Sequence, residues 1–296
     1  MKIVIGGASG MIGRALARHL QGRGDEVVAL VRREPRGPDE VRWDPAHGVL
    51  DADALAGAAA VVNLSGASLA RLPWTRGHRR QIVESRITAT RTLVRALHEL
   101  VARGQPSPAF VSGSATGYYG DRPGERLDES SVAGRGFLAS VVAAWEGAAS
   151  EAPSATRLVF ARTGMVLGSS GALAPLRLMT ALGFAGPIDG GRQHWPWISL
   201  ADEVAALTHL IDAPVSGPVN LVAPSPATAT DVVRTLARLM RRPFWAPLPL
   251  GTLMGEAGRE LLRADQEVHP SVLLESGFRF THVELSAAIG AALSRE

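Results

Sequence analysis

The stretch SGSATGYYGD, Ser112 to Asp121, holds Tyr118 and Tyr119, the only two tyrosines of the chain. A phenol can pass a proton to or from a reacting oxygen, and it can equally form an amphipathic wall that stacks on a ligand. A second chemical stretch, VIGGASGMIGRAL, sets Gly7, Gly10 and Gly13 three residues apart. Glycine lets a turn take positive φ and lets the backbone approach a diphosphate, while the first N–H groups of a following helix supply unpaired donors for the anion. Ser9, Met11 and Ile12 belong to the same turn and helix start, and are expected to line the same site. A third stretch, LVRREP, places Arg32 and Arg33 where an acid would read a ribose 2′-hydroxyl. Two guanidinium groups there suit a 2′-phosphate, so the expected cofactor is NADP(H) rather than NAD(H).

These residues need a scaffold, and the pattern supplies one. Short apolar runs alternate with helical stretches, as βαβ units and a parallel sheet require. Strands are expected at 2–6, 26–31, 59–64, 108–112, 157–161 and 217–222. Over 79–101, Val83, Ile87, Thr90, Val94, Leu97 and Val101 recur at three and four residues and mark one buried helix face. Arg86 stands at its edge beside Ile82, Ala89 and Leu93, where a charge needs a partner or a ligand. After residue 165 the chain becomes rich in Gly and Pro. The expectation is an α/β fold: a Rossmann doubly wound parallel sheet over 1–165, also receiving 194–222, and a smaller C-terminal α/β lobe over 166–296.

Composition narrows the classes. A chain of 296 residues with 46% apolar content can bury a full core. No uncharged apolar run reaches about 18 residues, and Met1-Lys2 leads directly into IVIGG without the pattern of an export signal, so a cytoplasmic protein without a membrane partner is expected. With no cysteine, disulfides and thiolate catalysis are excluded. The formal charge is +3, and Lys2 is the only lysine beside 30 arginines. The basic runs RRQIVESR and VRREPR are short and broken by acids, so no nucleic-acid partner is expected. No His, Asp and Glu spacing fits a metal; HEL at 98–100 lacks a second histidine one turn on.

With these residues in place, the chain resembles the extended short-chain dehydrogenase/reductases, through Gly7-x-x-Gly10-x-x-Gly13 and NLSG at Asn63 to Gly66. More narrowly, it resembles their atypical epimerase-like subgroup, of the NAD-dependent epimerase/dehydratase family, that carries a C-terminal domain of unknown function. The stretches that carry the likeness run end to end and include PWTRGHRRQIVESRITATRTL, GYYGD, RTGMVLGSSGAL, GPIDGGRQHWPWI and HPSVLLESGFRF. The resemblance implies NADP crossing the carboxyl ends of the strands. It implies Leu64 and Ser65 along the adenosine half, Gln81 and Arg86 from the following helix, and Val166 near the nicotinamide. Where Arg86 stands, the wider family usually has a neutral asparagine.

Those reductases use Tyr-x-x-x-Lys, in which the lysine lowers the tyrosine's pKa and the tyrosine transfers the proton. This chain has no such pair: the aligned segment GFLASVVAAWE offers Leu138 and Val142. The resemblance leaves Ser114, matching the serine that hydrogen-bonds a substrate oxygen, with Tyr118 or Tyr119 as replacement proton donor, helped by Arg86 or Arg162, or as wall residues of the cleft. Trp74, Gln193, Trp195 and Trp197 match subgroup loops and can close over a substrate, although Trp197 beside Ile198 reads as core. His194 in RQHWPW can act as acid or base, yet a lone loop histidine is more often without function.

Two functions fit these residues. One is an NADP(H)-binding oxidoreductase or epimerase-like enzyme acting on a small carbonyl or hydroxyl compound, as a monomer or homodimer. The other is a non-catalytic NADP(H)-binding sensor or partner-binding protein; some relatives carry a cell-division label.

Overall fold

The computed structural model describes residues 1–245 and 247–294. From the amino end, β1 (Lys2–Gly6) runs into α1 (Met11–Gly22), followed by β2 (Glu26–Val31), β3 (Glu40–Arg42) and β4 (Ala60–Asn63). The long α2 (Arg76–Ala102) leads to β5 (Ala109–Ala115), a two-residue β6 (Arg126–Leu127), α3 (Phe137–Ser150), β7 (Leu158–Thr163) and β8 (Met165–Leu167). Next come α4 (Leu173–Ala181), β9 (Trp197–Ser199), α5 (Leu200–Asp212), β10 (Gly217–Leu221) and α6 (Ala229–Leu239). The single turns α7 (Leu250–Leu253) and α8 (Gly255–Gly258), then β11 (Glu267–Val268), α9 (Ser271–Glu275) and α10 (Leu285–Leu293), complete the chain.

Seven strands form one sheet in the order β10-β7-β5-β4-β1-β2-β3, and every pairing in it is parallel. Parallel strands must be buried on both faces, and their sequences show it. In β1, Ile3 and Ile5 pack with Leu16 and Leu20 of α1 and Leu207 of α5 on one face. Val4, between them, points to the other face and joins Leu93 and Leu97 of α2. All six expected strands are present, with ends shifted by a residue or so, and β5 and β7 run two or three residues further.

The buried face of α2 overlaps the expected one but is centred to one side of it. Of the expected face Thr90, Val94 and Leu97 are buried, but Val83, Ile87 and Val101 are only half-buried, and Ile82, Ala89, Leu93, Ala96 and Leu100 are buried beside them. Apolar residues cover a wide arc of this helix, so periodicity locates the arc but packing chooses its centre. The consequence is chemical: Arg86 lies on the core side of the helix, one turn from both Ile82 and Ala89.

The C-terminal lobe has its own core, in which Trp195 and Trp197 pack with α6 residues Val232 and Leu236 and with Ile289 of α10. Beyond that lobe core, β10 pairs with β7 in the main sheet and α5 packs against it. The boundary expected at residue 166 is otherwise too simple. Val166 belongs to the main core, and so do Leu273 and Phe278, while β11 pairs with β6. The last third of the chain is threaded through both cores. Among the described residues no helix is long and apolar enough to cross a membrane.

Candidate dinucleotide and substrate site

The turn after β1 is built by steric necessity. Gly7 has φ of +82°, and a Cβ there would lie 2.7 Å from the Leu64 carbonyl. A Cβ on Gly13 would lie 2.3 Å from the Gly7 oxygen, so α1 can sit this close to β1 only with glycine at that position. No side chain caps α1 and its first turn has no acid, which leaves the N–H groups of Met11, Ile12 and Gly13 without intrahelical acceptors. Together with the helix dipole they favour an anion.

This turn opens into a groove of about 1300 Å³ whose wall includes Gly7, Ser9, Gly10, Arg32, Arg33, Leu64, Ser65 and Gln81. Ser65 Oγ is buried in that wall with no hydrogen-bond partner among the described residues, the state of a hydroxyl that a ligand would satisfy. The residues present therefore fit a dinucleotide. Arg33 is held by Glu40, with Nη1 donating to Oε2 at 2.7 Å, and this hydrogen bond with that of the Arg36 N–H brings the Glu40 carboxyl down to about 2. Arg86 is a half-buried cation: Nη1 donates to the carbonyls of Ile82 at 3.0 Å and Ala67 at 3.2 Å, and its guanidinium lies 5.3 Å from the Trp145 ring. Burial pushes Arg86 down to about 10.

Met11, Ile12, Gly13, Arg86 and Val166 lie outside the groove wall. The Met11 thioether instead approaches the Gly168 loop, where an added Cβ would be 2.7 Å from its sulfur. Val166, expected near the nicotinamide, has its side chain packed in the main core.

A second cluster of polar side chains, outside the groove wall, is a row across the sheet. Register pairs Ser114 of β5 with Arg162 of β7 and Arg162 with Asn220 of β10, and partners in register point to the same face. Ser114 Oγ donates to Glu146 Oε1 at 2.6 Å. Arg162 grips the same carboxylate with Nε and Nη2, each at 2.9 Å, and its Nη1 donates to the Tyr119 hydroxyl at 3.0 Å. That hydroxyl donates to Asn220 Oδ1 at 2.7 Å. Burial alone would lower the Arg162 guanidinium, but the Glu146 and Tyr119 contacts outweigh it and hold it above the usual arginine range.

The two tyrosines separate here. Tyr119 has no exposed surface, both hydrogen-bonding directions of its hydroxyl are used inside the protein, and burial pushes the phenol up to about 12. Neither expected role, wall of the cleft or proton donor to a ligand, suits a phenol enclosed in this way. Tyr118 is half-buried, stands edge-on to Tyr119 at 5.4 Å, and has the Arg162 guanidinium 3.6 Å from its ring. The Ser114 hydroxyl hydrogen points at Glu146, so toward a ligand the oxygen offers lone pairs.

Glu146 is the residue sequence reasoning missed. Its signal was present: it is the only charged residue in the fourteen of α3, on the face of Leu138 and Val142, one further turn along. Trp195 and Trp197 are core residues, and Gln193 is buried with Nε2 donating to the carbonyls of Ile188 and Leu262. His194 Nδ1 lies 2.9 Å from Asp265 Oδ1. Trp74 packs edge-on against Phe137 at 5.5 Å.

A wholly parallel sheet with a glycine turn at the first strand end, an uncapped helix start and a groove over the carboxyl ends defines a dinucleotide-binding Rossmann protein. Comparison with known proteins narrows the class. The model of the NAD dependent epimerase/dehydratase family matches residues 3–222, and that of a domain of unknown function matches residues 247–292. The chain belongs to the NAD-dependent epimerase/dehydratase family. An epimerase family protein of Mycobacterium leprae is 38% identical over 299 residues, covering 99% of this chain and 96% of that protein. The human epimerase family protein SDR39U1 is 35% identical over 297 residues, covering 98% of both. Its crystal structure with NADPH matches with a TM-score of 0.89 at 31% identity over the whole of both chains. A nucleoside-diphosphate sugar epimerase from Corynebacterium glutamicum has a TM-score of 0.81 at 32% identity, covering all of this chain and 59% of that one.

Proposed function

We propose that this protein binds NADP(H) and acts as an oxidoreductase or epimerase-like enzyme on a small carbonyl or hydroxyl compound. The observation that carries the coenzyme half is the groove: a glycine turn and bare helix start at one point, and Arg32 with Arg33 at the end of β2. The NADPH-bound structure of the human relative supports the same coenzyme.

When bound, the coenzyme supplies or accepts hydride. The chain's residues do the rest. The first-turn N–H groups of α1 hold the diphosphate, Arg32 and Arg33 face the 2′-phosphate, Ser65 Oγ and Gln81 line the adenosine half, and Arg86 adds a half-buried positive charge. Ser114 accepts a hydrogen bond from a substrate hydroxyl, because its own proton is given to Glu146. Through Ser114 the Glu146 carboxylate is the proton acceptor in reach, and Arg162 fixes its orientation. Tyr118 forms the wall of the cleft. This arrangement takes over the place of the missing Tyr-x-x-x-Lys pair.

Isothermal calorimetry of the purified protein with NADPH and NADH tests the coenzyme reading: NADPH binds, and more tightly than NADH. Absence of heat with both, or tighter binding of NADH, overturns it. Turnover of NADPH with a panel of small carbonyl compounds tests the catalytic half. The absent Tyr-x-x-x-Lys pair and the internal engagement of Tyr119 favour a second reading, a non-catalytic NADP(H) sensor, and no turnover across the panel would establish that one instead.

A further inference from the structure

The 2′-phosphate end of the groove already holds an anion that belongs to the protein. Arg33 presents its planar fork to Glu40, Nη1 to Oε2 at 2.7 Å and Nη2 to Oε1 at 2.5 Å. The Arg36 backbone N–H donates to the same Oε2 at 2.6 Å. Glu40 starts β3 in register with Ala29 of β2, so its backbone is fixed by the sheet. Its side chain is 16% exposed against 42% for Arg33, and both residues line the groove. Arg32, next in sequence, also lines the groove and is exposed; among the described residues no hydrogen bond or ion pair engages its guanidinium. Arg42, nearby on β3, is taken up by Glu34.

A guanidinium fork satisfies one carboxylate or one phosphate in bidentate fashion, not both. A carboxylate beside a bound phosphate also repels it, and does so without the shielding that a distant surface charge receives from salt. From this geometry we infer that Glu40 is a specificity-setting residue that competes with the coenzyme's 2′-phosphate for Arg33, leaving Arg32 as the main grip and lowering the preference for the phosphorylated coenzyme. The inference rests on the coenzyme reading above. It assigns the two arginines different roles: Arg32 is available at once, and Arg33 becomes available only when it leaves Glu40.

Fluorescence titration of NADPH and NADH into wild type, E40Q, R33Q and the E40Q/R33Q double variant, at fixed low salt, tests it. Because Glu40 and Arg33 lie at the surface, the variants are expected to keep the wild-type melting temperature, checked by circular dichroism. E40Q is expected to tighten NADPH about three- to fivefold, the span of an exposed ion pair, with NADH changed by less than about 1.5-fold. In the R33Q background the E40Q change is expected to have less than about half that effect, since there is no guanidinium left to release. An unchanged or lowered NADPH-to-NADH preference in E40Q overturns the inference, since that is what a carboxylate that merely orients Arg33 would give. An equal gain from E40Q with and without Arg33 overturns it too. Wild type failing to bind NADPH sinks the coenzyme reading itself, whereas wild type binding NADPH with an unresponsive E40Q sinks the competition alone.

Discussion

Removing the Tyr119 hydroxyl strands the buried Asn220 Oδ1 and leaves Arg162 Nη1 with only the long contact to the Glu129 carbonyl at 3.5 Å. Tyr119→Phe is therefore expected to lower stability by about 1 to 3 kcal/mol in urea unfolding, the cost of unsatisfied buried polar groups. Tyr118→Phe loses no side-chain hydrogen bond among the described residues and is expected to stay within about 0.5 kcal/mol of wild type. Adjacent letters thus part company on burial, which no local pattern encodes. Glu203, in the first turn of α5, offers a pH test. It is fully buried, accepts from the Thr163 hydroxyl at 2.8 Å, and is pushed by burial up to about 8. The unfolded chain would ionise it near the usual 4.5. Since the folded form keeps the proton longer, this contribution to stability is full below pH 4.5 and is lost as pH rises to about 8. Calorimetric melting of Glu203→Gln should lack that decline over the same interval; an identical pH slope in both proteins would show that Glu203 does not titrate there.

Elements decide what the residues can reach. The row Ser114, Arg162, Asn220 exists because three strands far apart in sequence are parallel and in one register. Each strand was legible as an apolar run; the register between them was not, because it depends on the whole sheet. Likewise Glu146, the one charged residue of α3, becomes meaningful only beside Arg162. The glycine turn is the opposite case, since its geometry is local and its spacing announces it. Gly13→Ala would put a Cβ 2.3 Å from the Gly7 oxygen, forcing α1 away from β1 and moving the N–H groups that meet the diphosphate. The expected outcome is at least a tenfold loss of NADPH affinity by calorimetry, with a stability loss of roughly 1 to 3 kcal/mol.

At the scale of the molecule, the C-terminal third is a strap rather than a detachable lobe. Glu256 of α8 pairs with Arg79 of α2 at 2.7 Å. Glu260 accepts from the N–H groups of Phe137 and Leu138 at the start of α3, at 2.9 and 3.1 Å. Beyond them, Leu273 and Phe278 complete the main core. A chain ending at residue 263 is accordingly expected to lose its cooperative thermal transition, followed by circular dichroism; a normal melt would show that the two cores are independent. The sequence by itself determined the parallel sheet, its glycine turn and the arginine pair, because periodicity, positive φ and charge at a strand end are properties of a few neighbouring residues. Only the tertiary structure decided which tyrosine is buried, that Glu146 and Arg162 stand behind Ser114, and that Arg33 is held by Glu40. Those facts depend on which distant residues the folded chain brings within hydrogen-bond reach, and on how much water it leaves them.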